Sequence, residues 1–293
     1  METIRIGVIG GSGVYSLDGL KILEELDIDT PFGKTSDKIV IGELGGQKAA
    51  FLPRHGRGHL LTPSEVPQPA NIYALKSLGV EKLVSVSAVG SLKEEIRPTD
   101  FILPVQLIDR TKDRPSSFFG GGIVGHITFA DPFCEEMRKE AAKIIGDYFR
   151  AECPDKKLFT GETLAVMEGP QFSTRAESRL HRSWGAGIIG MTALPEAKLA
   201  REAEMCYITI AMATDYDSWR EDTEEVGVGM VLEYMKENNR TINAVLPLVL
   251  KGLSAKRACG CGEAAKYAVM TDADKIPASV KKKLDLLYGK YWK

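Results

Sequence analysis

The stretch CYITIAMATDYDSW, residues 206–219, limits the fold more than any other part of the chain. From Cys206 to Ala213 it is a short, apolar, β-branched run, the pattern of a strand buried on both faces. Asp215 and Asp217 stand just past its C-terminal end, where open α/β sheets hold their ligands. In an extended segment, residues i and i+2 project to the same side, so both carboxylates can meet one flat ligand. Taken alone, the pair fits equally a turn with a helix cap, since Asp serves both.

Other apolar runs end the same way. TIRIGVIGGSGVY leads a strand into Gly10, Gly11 and Gly13, a turn whose backbone N–H groups can approach an anion, with Ser12 among them. A dinucleotide-binding reading fails in detail. The register from Gly11 puts Ser16 where the third glycine belongs, and Leu20 to Asp29 reads as strand rather than helix. What survives is a phosphate-binding turn or a plain tight turn. IVIGEL and KAAFLP, split by Gly45-Gly46, read as a hairpin that delivers the chain to RHGRGH. Arg54, His55, Arg57 and His59 concentrate donors there, and a planar guanidinium suits phosphate; a solvated basic loop is the other reading.

PANIYALKSLG reads as a helix ended by Gly79, and the strand Leu83 to Val86 then opens into Ser87, Ala88, Gly90 and Ser91. Asp100 to Ile108 reads as another strand, followed by a long polar loop that carries His126, a lone histidine of the kind more often structural than catalytic. A helix is expected from Asp131 to Arg150, with Asp131 as N-cap and Pro132 at the first position. The strand Thr163 to Met167 ends in EGPQFSTRAES, which offers the Phe172 ring before a helix begins at Arg175. A short strand to Gly190 precedes Met191 and Thr192, with a helix starting near Pro195. Several such strand ends on one sheet edge would form a single pocket.

Composition narrows the partners. With 293 residues, 44% hydrophobic and 27% charged, the chain is long enough for a substantial core. A net charge of −2 and pI near 6.2 argue against a nucleic-acid or membrane partner. No run approaches a membrane span and no signal layout opens the chain, so a cytoplasmic protein is expected. The five cysteines look scattered rather than paired. Cys259-Gly260-Cys261 is a C-x-C with no second pair and the four histidines lie far from it in sequence, so no metal site is expected.

GGSGVY, PRHGRGH, PANIYALK, SAVGSL, DRTKDRPSSFF, EGPQFSTRAES, GMTALPEAKLA and AMATDYDSW, in that order, resemble the successive signatures of the trimeric purine nucleoside phosphorylases, and among these the members acting on 5′-methylthioadenosine. The resemblance runs from about residue 4 to about residue 250. It implies a single α/β domain with a central mixed twisted sheet, partly closed as a barrel and surrounded by helices. It also implies inorganic phosphate as co-substrate, no cofactor, and a homo-trimer or dimer of trimers.

By the same resemblance, Ser12, Arg54, His55, Ser87, the backbone of Ala88 and Thr192 would bind phosphate, and Met191 would lie under the ribose. Phe172 would pack on the purine, Ser173 would reach toward the base, and His126 would come from the adjacent subunit to the 5′ end of the ligand. Val228, Val231 and Leu232 would meet the methylthio group, although a helix face packed on the core predicts the same pattern. The implied reaction is phosphorolysis: phosphate attacks the anomeric carbon as the bond to the purine breaks. Asp215, kept protonated in a partly apolar site, would donate to the departing base. Asp217 would accept from the 6-amino group, where members acting on 6-oxopurines place asparagine. The rival readings are a 6-oxopurine phosphorylase and a non-catalytic nucleoside-binding oligomer. Gln171 and Gly190 depart from residues common in the family at those places, Arg and Asn.

The expected organisation is a phosphorylase domain over residues 1–254 and a C-terminal extension over 255–293, packed on that domain or at an oligomer interface. ASVKKKLDLLYGKYW reads as an amphipathic helix with a basic face. Cys259 and Cys261 are expected as free thiols in a cytoplasm.

Overall fold

The computed structural model describes residues 3–11, 17–220 and 227–292. In chain order its strands and helices are β1 (Ile6–Gly10), β2 (Lys21–Leu26), β3 (Asp29–Thr30), β4 (Gly33–Lys34), β5 (Ile39–Leu44), β6 (Gln47–Pro53), α1 (Gln68–Ser77), β7 (Lys82–Ser91), β8 (Phe101–Ile102) and β9 (Gln106–Arg110). There follow α2 (Glu135–Glu152), β10 (Leu158–Phe159), β11 (Thr163–Met167), α3 (Arg175–Ser183), β12 (Ile188–Gly190), α4 (Ala193–Glu202), β13 (Cys206–Asp215), α5 (Val228–Gly252) and α6 (Ala278–Tyr288).

Strand alternation sorts the core into two faces. On β13, Cys206, Ile208, Ile210 and Met212 pack with Ile145 of α2 and Val245 and Val249 of α5. Tyr207, Ala211 and Ala213 point the other way, toward Ile72 of α1, Ala197 of α4 and Leu284 of α6. All ten residues of β13 are buried, so the strand has no polar side. Each large aliphatic side chain held there contributes about 1.5–3 kcal/mol relative to exposure. No helix among the described residues is long and apolar enough to cross a membrane.

Eleven strands form one mixed sheet, ordered β10-β8-β13-β7-β1-β6-β5-β2, and a second arm leaves β7 through β12 to β11 and β9. The branch comes from the length of β7. Its first half pairs with β1, from Ile6↔Lys82 to Gly10↔Val86, and its last two residues pair on that same edge with β12, as Ile189↔Gly90 and Ile188↔Ser91. Between them, Ser87 to Val89 pair with β13 on the other edge. Among the described residues no strand covers their remaining edge, and the sheet forks there.

The arms restart at a proline. The expected strand Asp100 to Ile108 is in fact two, because Pro104 interrupts the ladder. β8 then pairs with β13 and β10, while β9 crosses to β11. Among the described residues no ladder joins β8 to β9, so no backbone pairing links the ends of the two arms there.

Local signals produced the expected elements elsewhere. Gly45 and Gly46 both adopt positive φ, 59° and 78°, as a two-residue hairpin turn requires. Thr174 caps α3 through a reciprocal bond with Glu177, and Gly79 follows α1 at φ 93°. The helix expected from Asp131 begins only at Glu135, with Cys134 extended at its N-cap. The Cys134 N–H donates to the Tyr207 carbonyl at 2.9 Å, which holds the preceding residues against β13.

Residues 255–292 pack on the same body. Ala265, Ala268, Ile276, Leu284 and Tyr288 share one apolar cluster with Leu83 and Ile72, and the N–H groups of His126 and Met270 donate to the carbonyls of Ala268 and Val124. The cysteines are not scattered in space. Cys134, Cys206, Cys259 and Cys261 converge so that their sulfur atoms lie within 4.8 Å of one another. The missing second pair comes from β13 and the start of α2, which spacing along the chain did not connect to the C-x-C.

Candidate active site

The fork in the sheet is the wall of a cavity of about 480 Å³, a size that holds a small organic ligand. β7 contributes Val86 to Gly90, the β12 arm Ile189 to Thr192, β6 and its loop Arg54, His55 and His59, and β13 Met212, Thr214 and Asp215. Asp217 follows, and α5 closes the cavity with Val228, Val231, Leu232 and Met235.

Asp215 is the last residue of β13, one place past a register shift between Ala213 and Asp215. Its carboxylate accepts from the Thr214 hydroxyl at 2.7 Å and from the Asp217 N–H at 2.8 Å. Asp217 is left-handed, with φ 46°, so the two acids meet through a turn rather than through the alternation of an extended strand. Among the described residues neither acid caps a helix. Burial pushes the Asp215 carboxyl up to about 6, against the pull of its two donors, with a small addition from Asp217. Asp217 Oδ2 is buried without a hydrogen-bond partner. Gly90 makes the approach possible: a Cβ built there would lie 2.8 Å from Asp215 Oδ1.

At the opposite end, the Ser87 and Thr192 hydroxyls lie 2.8 Å apart, and the cavity includes Ala88 beside them. Arg54 is 1% exposed and Glu196, on α4, is fully buried. Arg54 Nε donates to Glu196 Oε2 at 2.9 Å and Nη2 donates to the Ser85 hydroxyl at 2.7 Å. The Tyr207 hydroxyl donates to Glu196 Oε1 at 2.8 Å. Thus the charge expected in the basic loop is set in a buried network that reaches the cavity wall.

Burial, then the neighbouring Arg54 charge, lowers the His55 ring to about 4, so the imidazole is neutral near neutral pH. Its Nδ1 lies 2.8 Å from the Leu61 carbonyl, an acceptor only, which assigns the proton to Nδ1 and leaves Nε2 an acceptor. Arg57 turns outward to Glu25.

Of the residues expected from sequence, Arg54, His55, Ser87, Ala88, Phe172, Met191, Thr192, Asp215, Asp217, Val228, Val231 and Leu232 all line this cavity. Ser173 is buried beside it rather than in its lining, with its hydroxyl 3.6 Å from Met167 Sδ. His126 is exposed and lies outside it. Ser12 falls outside the described residues.

Sequence reasoning passed over Arg114. Its guanidinium is almost wholly buried and donates to the carbonyls of Met191 at 2.6 Å and Leu194 at 2.8 Å, to the Glu168 carbonyl, and to Glu168 Oε1 at 3.1 Å. It ties the end of β11 to the segment that carries Met191 and Thr192. Only the density of charge in DRTKDRPSSFF could have marked it. Glu196 and Thr214 were also missed; one reads as an ordinary helix residue, and the other falls between the apolar run that ends at Ala213 and the acid at Asp215.

The model of the phosphorylase superfamily matches residues 5–251. An S-methyl-5′-thioadenosine phosphorylase of Koribacter versatilis is 50% identical over 291 residues, covering 98% of this chain and 97% of its own. The crystal structure of a methylthioadenosine phosphorylase from an Antarctic soil metagenomic library superposes with a TM-score of 0.92 at 43% identity, covering 98% of this chain and 99% of that one. A mutant adenosine/methylthioadenosine phosphorylase of Schistosoma mansoni, in complex with methylthioadenosine, superposes with a TM-score of 0.83 at 34% identity, covering 90% of this chain and 96% of that one.

Proposed function

The chain belongs to the phosphorylase superfamily, and from that premise we propose that it cleaves 5′-methylthioadenosine with inorganic phosphate, releasing adenine and 5-methylthioribose 1-phosphate. The observation that carries the reading is the cavity itself, with a buried pair of acids at one end, hydroxyls at the other and an apolar wall on α5.

The chemistry follows from what each end can do. Ser87, Thr192, the Ala88 backbone, His55, Arg54 and Ser12 hold phosphate. His55 Nε2, an acceptor, suits the P–OH of hydrogen phosphate, while the hydroxyls and the fixed Arg54 charge meet its anionic oxygens. Met191 lies under the ribose, Phe172 packs on the purine and Ser173 supports the base side. As the glycosidic bond breaks, negative charge gathers on the base. Asp215, with its proton retained to about pH 6, donates that proton to the purine ring nitrogen. Asp217 accepts from the 6-amino group through the oxygen that no protein donor uses. Phosphate needs no added cofactor to serve as the nucleophile.

Val228, Val231 and Leu232 face the methylthio end. Val228 and Leu232 are 65% and 56% exposed in the isolated chain, and His126 is exposed outside its own subunit's cavity. These observations support a homo-oligomer, a trimer or a dimer of trimers, in which His126 serves the neighbouring copy.

A phosphate-dependent assay with methylthioadenosine, adenosine and inosine side by side tests the reading. Adenine release from methylthioadenosine, abolished when phosphate is omitted, is expected. Brisk cleavage of inosine with none of methylthioadenosine would replace the reading by a 6-oxopurine phosphorylase, and nucleoside binding without cleavage by a carrier. In the same assay Asp217→Asn is expected to move the preference toward inosine by about tenfold or more, because the amide can donate to a 6-oxo group; an unchanged ratio removes the role given to Asp217. Arg114→Met is expected to lower kcat/KM by about 10- to 100-fold through loss of the Met191–Thr192 geometry. Unaltered kinetics would show that this segment holds its shape without Arg114.

A further inference from the structure

A second cluster of chemistry-bearing side chains lies at the far end of β13. Cys206 begins the strand and Asp215 ends it, so at about 3.3 Å per residue the two sites are roughly 30 Å apart. Around Cys206, Cys259 Sγ lies 3.3 Å from Cys206 Sγ and 3.7 Å from Cys134 Sγ, and Cys261 completes a set of four within 4.8 Å of one another. A tetrahedral zinc with Zn–S bonds of about 2.3 Å has S···S edges of about 3.8 Å. The four sulfurs are grouped at that scale. We propose that Cys134, Cys206, Cys259 and Cys261 form a structural site for one thiophilic divalent cation of the zinc class, which pins the C-terminal extension to the sheet.

The ligand set has the chemistry the ion requires. Four soft sulfur donors and no carboxylate among them select zinc over magnesium or calcium. Three of the four are buried and Cys259 is half-buried, giving a closed site with an entry. That entry opens onto a groove of about 640 Å³ with Arg138, Lys139 and Arg201 on its walls, along with Asp131, Glu135 and Glu136. The N-terminus of α2, whose N-cap is Cys134, favours thiolate at that ligand, while the three cations of the groove are balanced by its three acids, Lys139 pairing with Glu135 at 2.7 Å.

The supporting shell holds the C-x-C before any ion arrives. The Ala258 N–H donates to the Glu136 carboxylate at 3.1 Å, and Arg257 Nη1 donates to the Glu204 carbonyl at 2.8 Å. Lys82 Nζ donates to the carbonyls of Leu253 and Ala255 at 3.0 and 2.7 Å. Binding displaces one proton to solvent from each thiol that is protonated, so loading strengthens as pH rises.

The test uses the full chain, reduced, stripped with chelator and titrated anaerobically with cobalt(II). The expected result is saturation at a single cobalt per chain, with thiolate-to-cobalt charge transfer and the intense visible bands of a tetrahedral ion, both bleached by one equivalent of zinc. Protein grown with zinc and purified reduced should carry close to one zinc per chain. Cys259→Ser with Cys261→Ser should abolish the bands, whereas Cys153→Ser, the fifth cysteine, should keep them. Phosphorolysis at 25 °C should be unchanged by metal removal, and the melting temperature should fall. Reduced protein that binds no cobalt overturns the site. So does protein isolated without reductant that holds no zinc and shows a single reactive thiol of five, which would make the cluster two disulfides.

Discussion

Asp215→Asn is expected to lower kcat by about 10²- to 10⁴-fold, the range that a positioned general acid supplies, and at the same time to make the protein more stable above pH 6. Both effects have one cause. Burial favours the neutral carboxylic acid, so the folded state holds the Asp215 proton up to about pH 6 whereas the unfolded chain releases it near 3.8. Between those values the folded state binds more protons, and stability falls as pH rises through the window. Above pH 6 the whole cost is present, about 3 kcal/mol for a shift of that size. Asparagine removes the cost, since its carbonyl still accepts from Thr214 or the Asp217 N–H. Chemical denaturation of both proteins at pH 4 and pH 7.5 checks the stability half: the variant's advantage should grow with pH. Wild-type kcat/KM should decline above about pH 6 as the acid of the free enzyme ionises, and that limb should be absent in the variant. A variant with wild-type turnover would mean that the base leaves without a proton from Asp215.

Glu196→Ala should have the largest effect on stability, a loss of about 3–5 kcal/mol, because it removes the fully buried carboxylate that Arg54 Nε pairs with at 2.9 Å. The Tyr207 hydroxyl loses its acceptor in the same step. The result would be read as a lower urea midpoint at unchanged slope. A second substitution separates the ion pair from simple packing. Glu196→Ala combined with Arg54→Met removes both charges and should recover much of the stability, yet phosphate affinity should remain poor. If the single variant loses less than about 1 kcal/mol, water reaches Arg54 and the network is not the closed one described.

The same two networks show how far sequence could be read. β13, the hairpin at Gly45-Gly46 and the capped start of α3 were legible because each depends on neighbours along the chain. The strand-end clusters were legible too, since residues at such ends converge in any α/β sheet. The family resemblance added roles, and twelve of its residues line one cavity. What stayed hidden depends on distant partners. Arg54 read as a loop cation, and nothing within α4 marks Glu196 as the residue that holds it. The start of α2 moved by three places, from an N-cap at Asp131 to one at Cys134, where a backbone bond to Tyr207 outweighs a good capping sequence. The break at Pro104 was visible as a residue, but the exchange of strand partners that it permits was not.

The fork at β7 also has a mechanical consequence. The base-side acids ride on β13, which runs along the far edge of β7 past the gap, and the ribose-side Met191 and Thr192 follow β12, one of the two strands that the fork separates. The buried Arg114 braces the β12 side through the Met191 and Leu194 carbonyls, while the space between the two sides is spanned by whatever the cavity holds. A bound nucleoside with phosphate therefore acts as a strut. Occupancy at a hundred times the dissociation constant is worth about 2.7 kcal/mol to the folded state, and the amides on both sides should gain protection from hydrogen exchange together, so the enzyme is stiffest at the moment it is loaded.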